Sequence, residues 1–146
     1  MMNSTLLKYL EYQKTLLEKM VELGEKQKQA LVKYDMNTLE KITIKQSEIQ
    51  KELRQVEEQR IHLISTWLGV KRSDAMKLKL SDLAAMHKGE EEVALMSLRK
   101  DFKVLLLKIQ SQYALNRVLS TRAKNSISEI LYFLTNGSNQ ICNVKI

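Results

Sequence analysis

Apolar residues recur along the chain at alternating steps of three and four, which is the spacing of one face of a packed helix. The first such stripe contains several polar members. Its positions are Leu6, Leu10, Gln13, Leu17, Met20, Gly24, Gln27, Leu31 and Tyr34. This pattern predicts a helix over residues 4–34 that packs against another helix along this seam.

A second stripe starts directly after a break at residues 35–37, where either a tight turn or a kink is predicted. Asn37 is the candidate N-cap of the second helix, because Glu40 stands three residues later as in a capping box. The stripe predicts a helix over residues 37–68 that ends at Gly69, a residue suited to a C-terminal cap. Its members are Leu39, Ile42, Gln46, Ile49, Leu53, Val56, Arg60, Leu63 and Trp67.

The helical period is lost over residues 70–89, which predicts a connector. Within it, Ser81 and Asp82 have the character of a cap for one short helix that ends near His87.

Three consecutive glutamates at residues 90–92 favour the start of a third helix, because carboxylates stabilise the positive end of the helix dipole. A third stripe then predicts a long helix over residues 90–136, followed by a flexible tail over residues 137–146. The stripe comprises Leu95, Leu98, Phe102, Leu105, Ile109, Gln112, Asn116, Leu119, Ala123, Ile127, Ile130 and Leu134.

These elements predict an all-α fold in a single domain over residues 1–146. The first two helices form an elongated antiparallel hairpin, and the long C-terminal helix packs along it in a coiled-coil-like bundle. The absence of proline and the presence of only four glycines agree with long helices, because these residues are the usual breakers. A hydrophobic content of 44% is enough for a modest core.

The third helix is too long for the hairpin. At about 1.5 Å per residue it spans nearly 70 Å, whereas each hairpin arm spans about 45 Å. The uncovered C-terminal turns predict a partner-binding surface, unless the connector folds back over them. The apolar residues on these turns are Ile127, Ile130, Leu131, Phe133 and Leu134.

The net charge of +7 is concentrated in one stretch, over residues 99–124, where seven basic residues meet a single aspartate. This imbalance favours an acidic partner. The alternative is that the charges solvate the outer side of a helix.

Catalysis, metal binding and cofactors are not expected. The chain holds only His62, His87 and Cys142 as histidine or cysteine ligands, at no zinc-like spacing, and its glycines are too far apart for a phosphate loop. The polar seam residues Gln46 and Arg60, with Asn116 of the third helix, are interpreted as devices that fix register and partner choice.

A nucleic-acid-binding role is disfavoured, although the pI is about 9.5. Base stacking needs exposed aromatic side chains, which form only 5% of the chain. Tyr9, Tyr34 and Tyr113 fall on or beside the seams and are interpreted as packing residues.

A cytoplasmic location without membrane insertion is predicted. No apolar run approaches the roughly 20 residues of a membrane span, and no secretory signal can be drawn at the start. The lone cysteine fits a reducing compartment.

Two stretches resemble the FlgN family of flagellar export chaperones. The first is "ALVKYDMNTLEKITIKQSEIQKEL" followed by "EEQR", whose matching positions are Asp35, Lys45, Gln46 and Arg60; the family often has Gly-Asp where this chain has Tyr-Asp. The second, "NRVLSTRAKNSISEILYFLTNG", is similar to the family's ending in an Asn, an amphipathic helix and a final Gly.

The resemblance implies a cytoplasmic chaperone that binds the C-terminal helical segments of hook-filament junction (hook-associated) proteins. It would prevent their premature assembly and deliver them to the export gate and ATPase-associated components of the type III apparatus. The client-binding role would fall on Ile127, Ile130, Leu131, Phe133 and Leu134. Two other functions stay open: a homo-oligomeric coiled-coil scaffold, of which a homodimer is the simplest form, and a basic helical nucleic-acid binder.

Overall fold

A computed structural model of the chain describes residues 2–120, with side chains from residue 4 onward. The described part is helical and contains no strand. The predicted all-α hairpin with a long C-terminal helix is confirmed. The helices are α1 (Met2–Val32), α2 (Met36–Leu68), α3 (Arg72–Lys77), α4 (Leu80–Ala85) and α5 (Glu90–Ser120). The predicted continuation of the last helix and the predicted tail lie outside the described residues.

The break between the first two helices is a tight turn, which we call the hairpin tip (residues 33–35). Tyr34 has a φ of 55°, a left-handed conformation that reverses the chain direction. The cap of α2 is Asp35, whose carboxylate accepts hydrogen bonds from the Thr38 backbone N–H at 3.2 Å and the Thr38 hydroxyl at 2.6 Å. The prediction of Asn37 as the cap was wrong, because Asp35 stands two residues earlier and already satisfies the third amide of the helix.

Because Asp35 caps α2, we expect the Asp35→Ala variant to lose stability in a pH-dependent way. The hydrogen bonds from Thr38, together with the charges of Lys33 and Lys41, hold the pKa of Asp35 below its usual value. A group with a lowered folded-state pKa stabilises above its unfolded pKa, and this contribution is lost as pH falls through the folded pKa. Thermal melts should therefore show a lower Tm for the variant at neutral pH and a smaller deficit in acid. Glu40→Ala is the matched control, and an equal loss there would favour the capping-box assignment instead.

The connector contains two short helices rather than the single one predicted. Asp82 lies at the third position of α4 rather than before it, and its carboxylate accepts a hydrogen bond from the Lys79 backbone N–H at 2.9 Å. The helix therefore starts earlier than the Ser-Asp pair suggested. α3 packs on α2 and α4 packs on α5, so the connector lies along the end of the bundle opposite the hairpin tip. Gly69 ends α2 in the left-handed conformation, as predicted.

α1 lies between the other two long helices. It packs against α2 on one side and α5 on the other, whereas no Cα atoms of described α2 and α5 residues come within 8 Å of each other. α2 is antiparallel to α1. α5 is parallel to α1, because Lys14 contacts Asp101 while Val21, further along, contacts Gln112. α5 therefore runs from the connector end towards the hairpin tip.

The core follows the three predicted seams over most of their length. Its fully buried side chains include Leu6, Leu10 and Leu17 of α1 and Phe102 of α5. Two residues that were predicted to lie on the seams are instead exposed, because each stands at a helix end. Tyr34 belongs to the turn and is 57% exposed, and Trp67 lies beside the His87 ring, with 5.6 Å between ring centroids.

Candidate partner-binding surface

Two polar clusters are enclosed within the bundle, and the first is an ion pair. The Arg60 guanidinium donates two hydrogen bonds to the Glu57 carboxylate, one turn earlier on α2. Gln13 of α1 donates to the same carboxylate at 2.8 Å. All three side chains are buried, with Arg60 only 1% exposed. These hydrogen bonds form only when α1 and α2 are aligned in one register. This agrees with the interpretation of the polar seam residues as devices that fix register.

The second cluster links all three long helices near the hairpin tip. Gln27 of α1 accepts hydrogen bonds from Gln46 of α2 at 3.1 Å and from Asn116 of α5 at 3.3 Å. Asn116 also donates to the Gly24 carbonyl at 3.1 Å. Because the donors come from two helices that do not pack closely on each other, the Gln27 amide fixes the level of both relative to α1.

Gly24 leaves room on α1 for the Gln112 side-chain amide at this level. A Cβ atom at position 24 would overlap the Gln112 amide, which donates to the Val21 carbonyl at 2.8 Å. Gly24 on α1 and Gln112 on α5 are both non-apolar seam positions, and here the missing side chain of one makes space for the amide of the other. Together they replace an apolar contact with a close, directional one.

The inner seam of α5 comes level with the end of α1 within the described residues. Asn116 already lies opposite Gly24 and Gln27, Ser120 is buried one turn further on, and α1 ends at Val32. In the sequence the apolar positions of this seam continue at the same spacing. The residues predicted to bind a client lie outside the described residues: Ile127, Ile130, Leu131, Phe133 and Leu134.

The opposite side of α5 carries a second apolar stripe that the sequence reading missed. We call it the outer face; its large apolar side chains are between 42% and 68% exposed. They recur at helical spacing, a signal that a search for two seams on one helix would have found. The members of the outer face are Val93, Met96, Val104, Leu107, Leu115 and Val118.

Positive charge flanks and interrupts the outer face beyond its first turn, which carries the exposed Glu90 and Glu92. Lys100, Lys103, Lys108 and Arg117 are exposed on α5. The only aspartate among the basic residues, Asp101, is held by Lys14 of α1 at 3.1 Å and so is directed away from the outer face. Apolar side chains with basic borders suit an amphipathic helix whose own borders are acidic.

The described residues offer little for other kinds of chemistry. Among them, no three histidine, cysteine or carboxylate side chains stand close enough together to hold a metal ion. None of the helices between residues 2 and 120 is long and apolar enough to cross a membrane. His62 is exposed, as expected from its sequence context, whereas His87 is buried with its Nδ1 2.6 Å from the Leu83 carbonyl oxygen.

The described residues form an all-α, coiled-coil-like bundle that leaves one apolar helix face uncovered. The family described as "FlgN protein" matches residues 1–144, nearly the whole chain. The chain therefore belongs to the FlgN family, a family of flagellar export chaperones rather than enzymes, which bind flagellar hook-associated proteins. No curated protein and no solved structure matches the chain.

Proposed function

We propose that residues 1–146 act as one helical chaperone domain that holds the C-terminal helical segments of hook-filament junction proteins in the cytoplasm. The chaperone keeps its clients from assembling prematurely and delivers them to the export gate and ATPase-associated components of the type III apparatus. The observation that carries this proposal is the apolar surface that α5 leaves uncovered. A client helix packed there completes a bundle that the chain itself leaves unfinished.

The register of α5 supports a second part of the client site, at the apolar positions that continue the inner seam in the sequence. Near Ser120 the inner seam is already level with the last turns of α1, and the sequence beyond Ser120 carries further apolar positions at the same spacing. We assign client binding to the predicted residues on this basis and on the family resemblance. They are Ile127, Ile130, Leu131, Phe133 and Leu134.

The strength of such an interaction suits a chaperone that must release its client. Each large apolar side chain buried on binding contributes about 1.5–3 kcal/mol before the costs of association and ordering are subtracted. A few such contacts give about micromolar affinity, which is reversible.

Co-purification from a flagellated host tests the client and the site together. Tagged wild-type protein should recover hook-filament junction proteins, identified by mass, and the Ile130→Asp and Phe133→Asp variants should lose them. Circular dichroism must show nearly unchanged helicity in both variants. A lost helical signal would show that these residues belong to the core and not to a binding site.

The outer face has a separate test in Leu107→Asp. Leu107 is exposed, so the substitution should leave Tm nearly unchanged while weakening binding of the recovered junction protein at least tenfold, as measured by titration calorimetry. Ile44→Asp is the matched control, since Ile44 is an exposed apolar residue on α2. Equal affinity of the Leu107→Asp variant and wild type would confine the client to the C-terminal residues.

The two other functions give different outcomes in the same preparation. Recovery of the tagged protein with only its own copies, at a mass above the monomer, would favour the homo-oligomeric scaffold. Against that outcome, two outer faces brought together would oppose their lysine borders. Recovery of nucleic acid with a steep salt dependence would favour the basic binder, because phosphate contacts release counterions.

A further inference from the structure

A groove lies beside the hairpin tip, between α1 and α2. Its floor is apolar and consists of the buried residues Leu23, Ala30 and Ile42. Its volume of about 280 Å³ is just below the roughly 300–1,000 Å³ typical of small-molecule pockets, so it suits a few side chains rather than a cofactor. Its polar rim is formed by Lys26, Gln29, Lys33, Asp35, Thr38, Lys41 and Lys45.

The rim is strongly positive. Its one carboxylate, Asp35, is engaged by Thr38 as the helix cap. Lys26 lies 3.8 Å from Glu22 in an exposed pair, which contributes little in water. Within the described part of the chain, Lys33, Lys41 and Lys45 take part in no ion pair within 4 Å. Four ammonium groups therefore surround an apolar floor.

Exposed apolar side chains also stand at the hairpin tip, next to lining residues in the sequence. Val32, Tyr34 and Met36 are each more than half exposed. Tyr34 also has a left-handed backbone conformation, which a residue with a side chain adopts at a cost and which glycine adopts freely. A large aromatic residue at such a position is therefore a candidate functional residue.

We propose that this tip groove docks an acidic segment of a partner protein. Carboxylates of the segment lie against the lysine rim, and one or two of its apolar side chains cover Leu23, Ala30 and Ile42. The lining comes only from α1, α2 and the turn between them, whereas the outer face lies on α5. A client on the outer face, as in the proposed function, would therefore leave the groove open to a second protein.

A protein segment fits the groove better than other anions do. A phosphate site would use the free amides at the start of α2, but Asp35 already occupies this position with a negative charge. The apolar floor also gives a nucleic-acid backbone nothing to bind. A peptide with both carboxylates and apolar side chains satisfies the rim and the floor at once.

Fluorescence anisotropy tests the proposal with a fluorescein-labelled helical peptide of Glu, Ala and Leu as the probe. Full-length protein should bind it, and added salt should weaken the binding. The Lys26→Glu/Lys45→Glu double variant should lose at least tenfold in affinity. Lys19→Glu/Lys51→Glu is the matched control, since it changes the net charge equally at exposed positions of the same two helices outside the groove.

Equal weakening by both double variants would reduce the interaction to net charge and overturn the proposal. No binding of the peptide by wild-type protein, or displacement of the peptide by a stoichiometric single-stranded oligonucleotide, would overturn it as well. Recovery of hook-filament junction proteins by the Lys26→Glu/Lys45→Glu variant is expected to be unchanged. This result keeps failure of the tip groove distinct from failure of the chaperone function.

Tyr34→Gly separates the binding role of the ring from its role in folding. Glycine suits the left-handed position, so the Tm should stay the same or rise. Peptide affinity should fall at least threefold because the exposed ring is lost. Unchanged affinity would remove Tyr34 from the docking surface, and a lower Tm would show that the ring stabilises the turn.

Discussion

Replacing Glu57 by leucine is expected to lower the free energy of unfolding by about 3–5 kcal/mol, which is the usual effect of removing one partner of a buried ion pair. The Arg60 guanidinium would remain enclosed, at 1% exposure, without its counter-charge. Gln13 would lose its acceptor at the same time. Urea unfolding followed by circular dichroism measures the loss.

The control for this prediction is the double variant Glu57→Leu/Arg60→Leu, which removes both charges. Because burying an ion pair is itself costly, the double variant should recover most of the lost stability. The loss of stability in the double variant should thus be much smaller than the sum of the losses in the two single variants, which is a large coupling in the double-mutant cycle. A loss below about 1 kcal/mol for Glu57→Leu would mean that water reaches Arg60 and that the cluster is not sealed.

Phe102→Ala is expected to have a similarly large effect, about 3–5 kcal/mol, because it leaves a cavity at a fully buried aromatic position. Phe102 is 0% exposed and lies on the inner seam of α5, which packs against α1. The variant therefore tests how firmly α5 is held to the hairpin. Far-UV circular dichroism reports all the helices, and Trp67 fluorescence reports the connector end, where its ring lies beside His87.

Val104→Ala is the matched control on the same helix, because Val104 belongs to the exposed outer face. Its effect should stay within about 0.5 kcal/mol. If Phe102→Ala gives two separate transitions by the two probes, α5 leaves the hairpin before the hairpin unfolds. Equal effects of the two substitutions would contradict the assignment of inner and outer sides.

The helices could be predicted because apolar spacing maps directly onto one side of a helix. Polar members of the seams, such as Gln46 and Arg60, also pointed to enclosed contacts. Their partners could not be identified from spacing, since Gln27 and Gln46 face each other only after the chain turns back. The cap at Asp35 was missed because two capping signals stand close together, and only the turn geometry decides between them.

The binding surfaces were less predictable than the fold. α5 carries apolar residues on both its outer face and its inner seam. The two stripes overlap in the sequence, so the spacing of the outer face is hard to separate from that of the inner seam. The tip groove joins lysines from residue 26 to residue 45, and the side of the hairpin that each one occupies depends on the packing of α1 on α2. The rim of the tip groove therefore cannot be read from one helix alone, whereas the outer face can be found only by searching one helix for two stripes.

The central position of α1 has a consequence during synthesis. α1 is made first, and α2 can pair with it after a turn of only residues 33–35, whereas the part of α5 that packs against α1 extends at least to Ser120. At about 5–20 residues per second, the ribosome needs roughly 3–10 s to make residues 69–120. Throughout that interval the nascent hairpin offers the side of α1 around Val21 and Gly24 to any helix nearby.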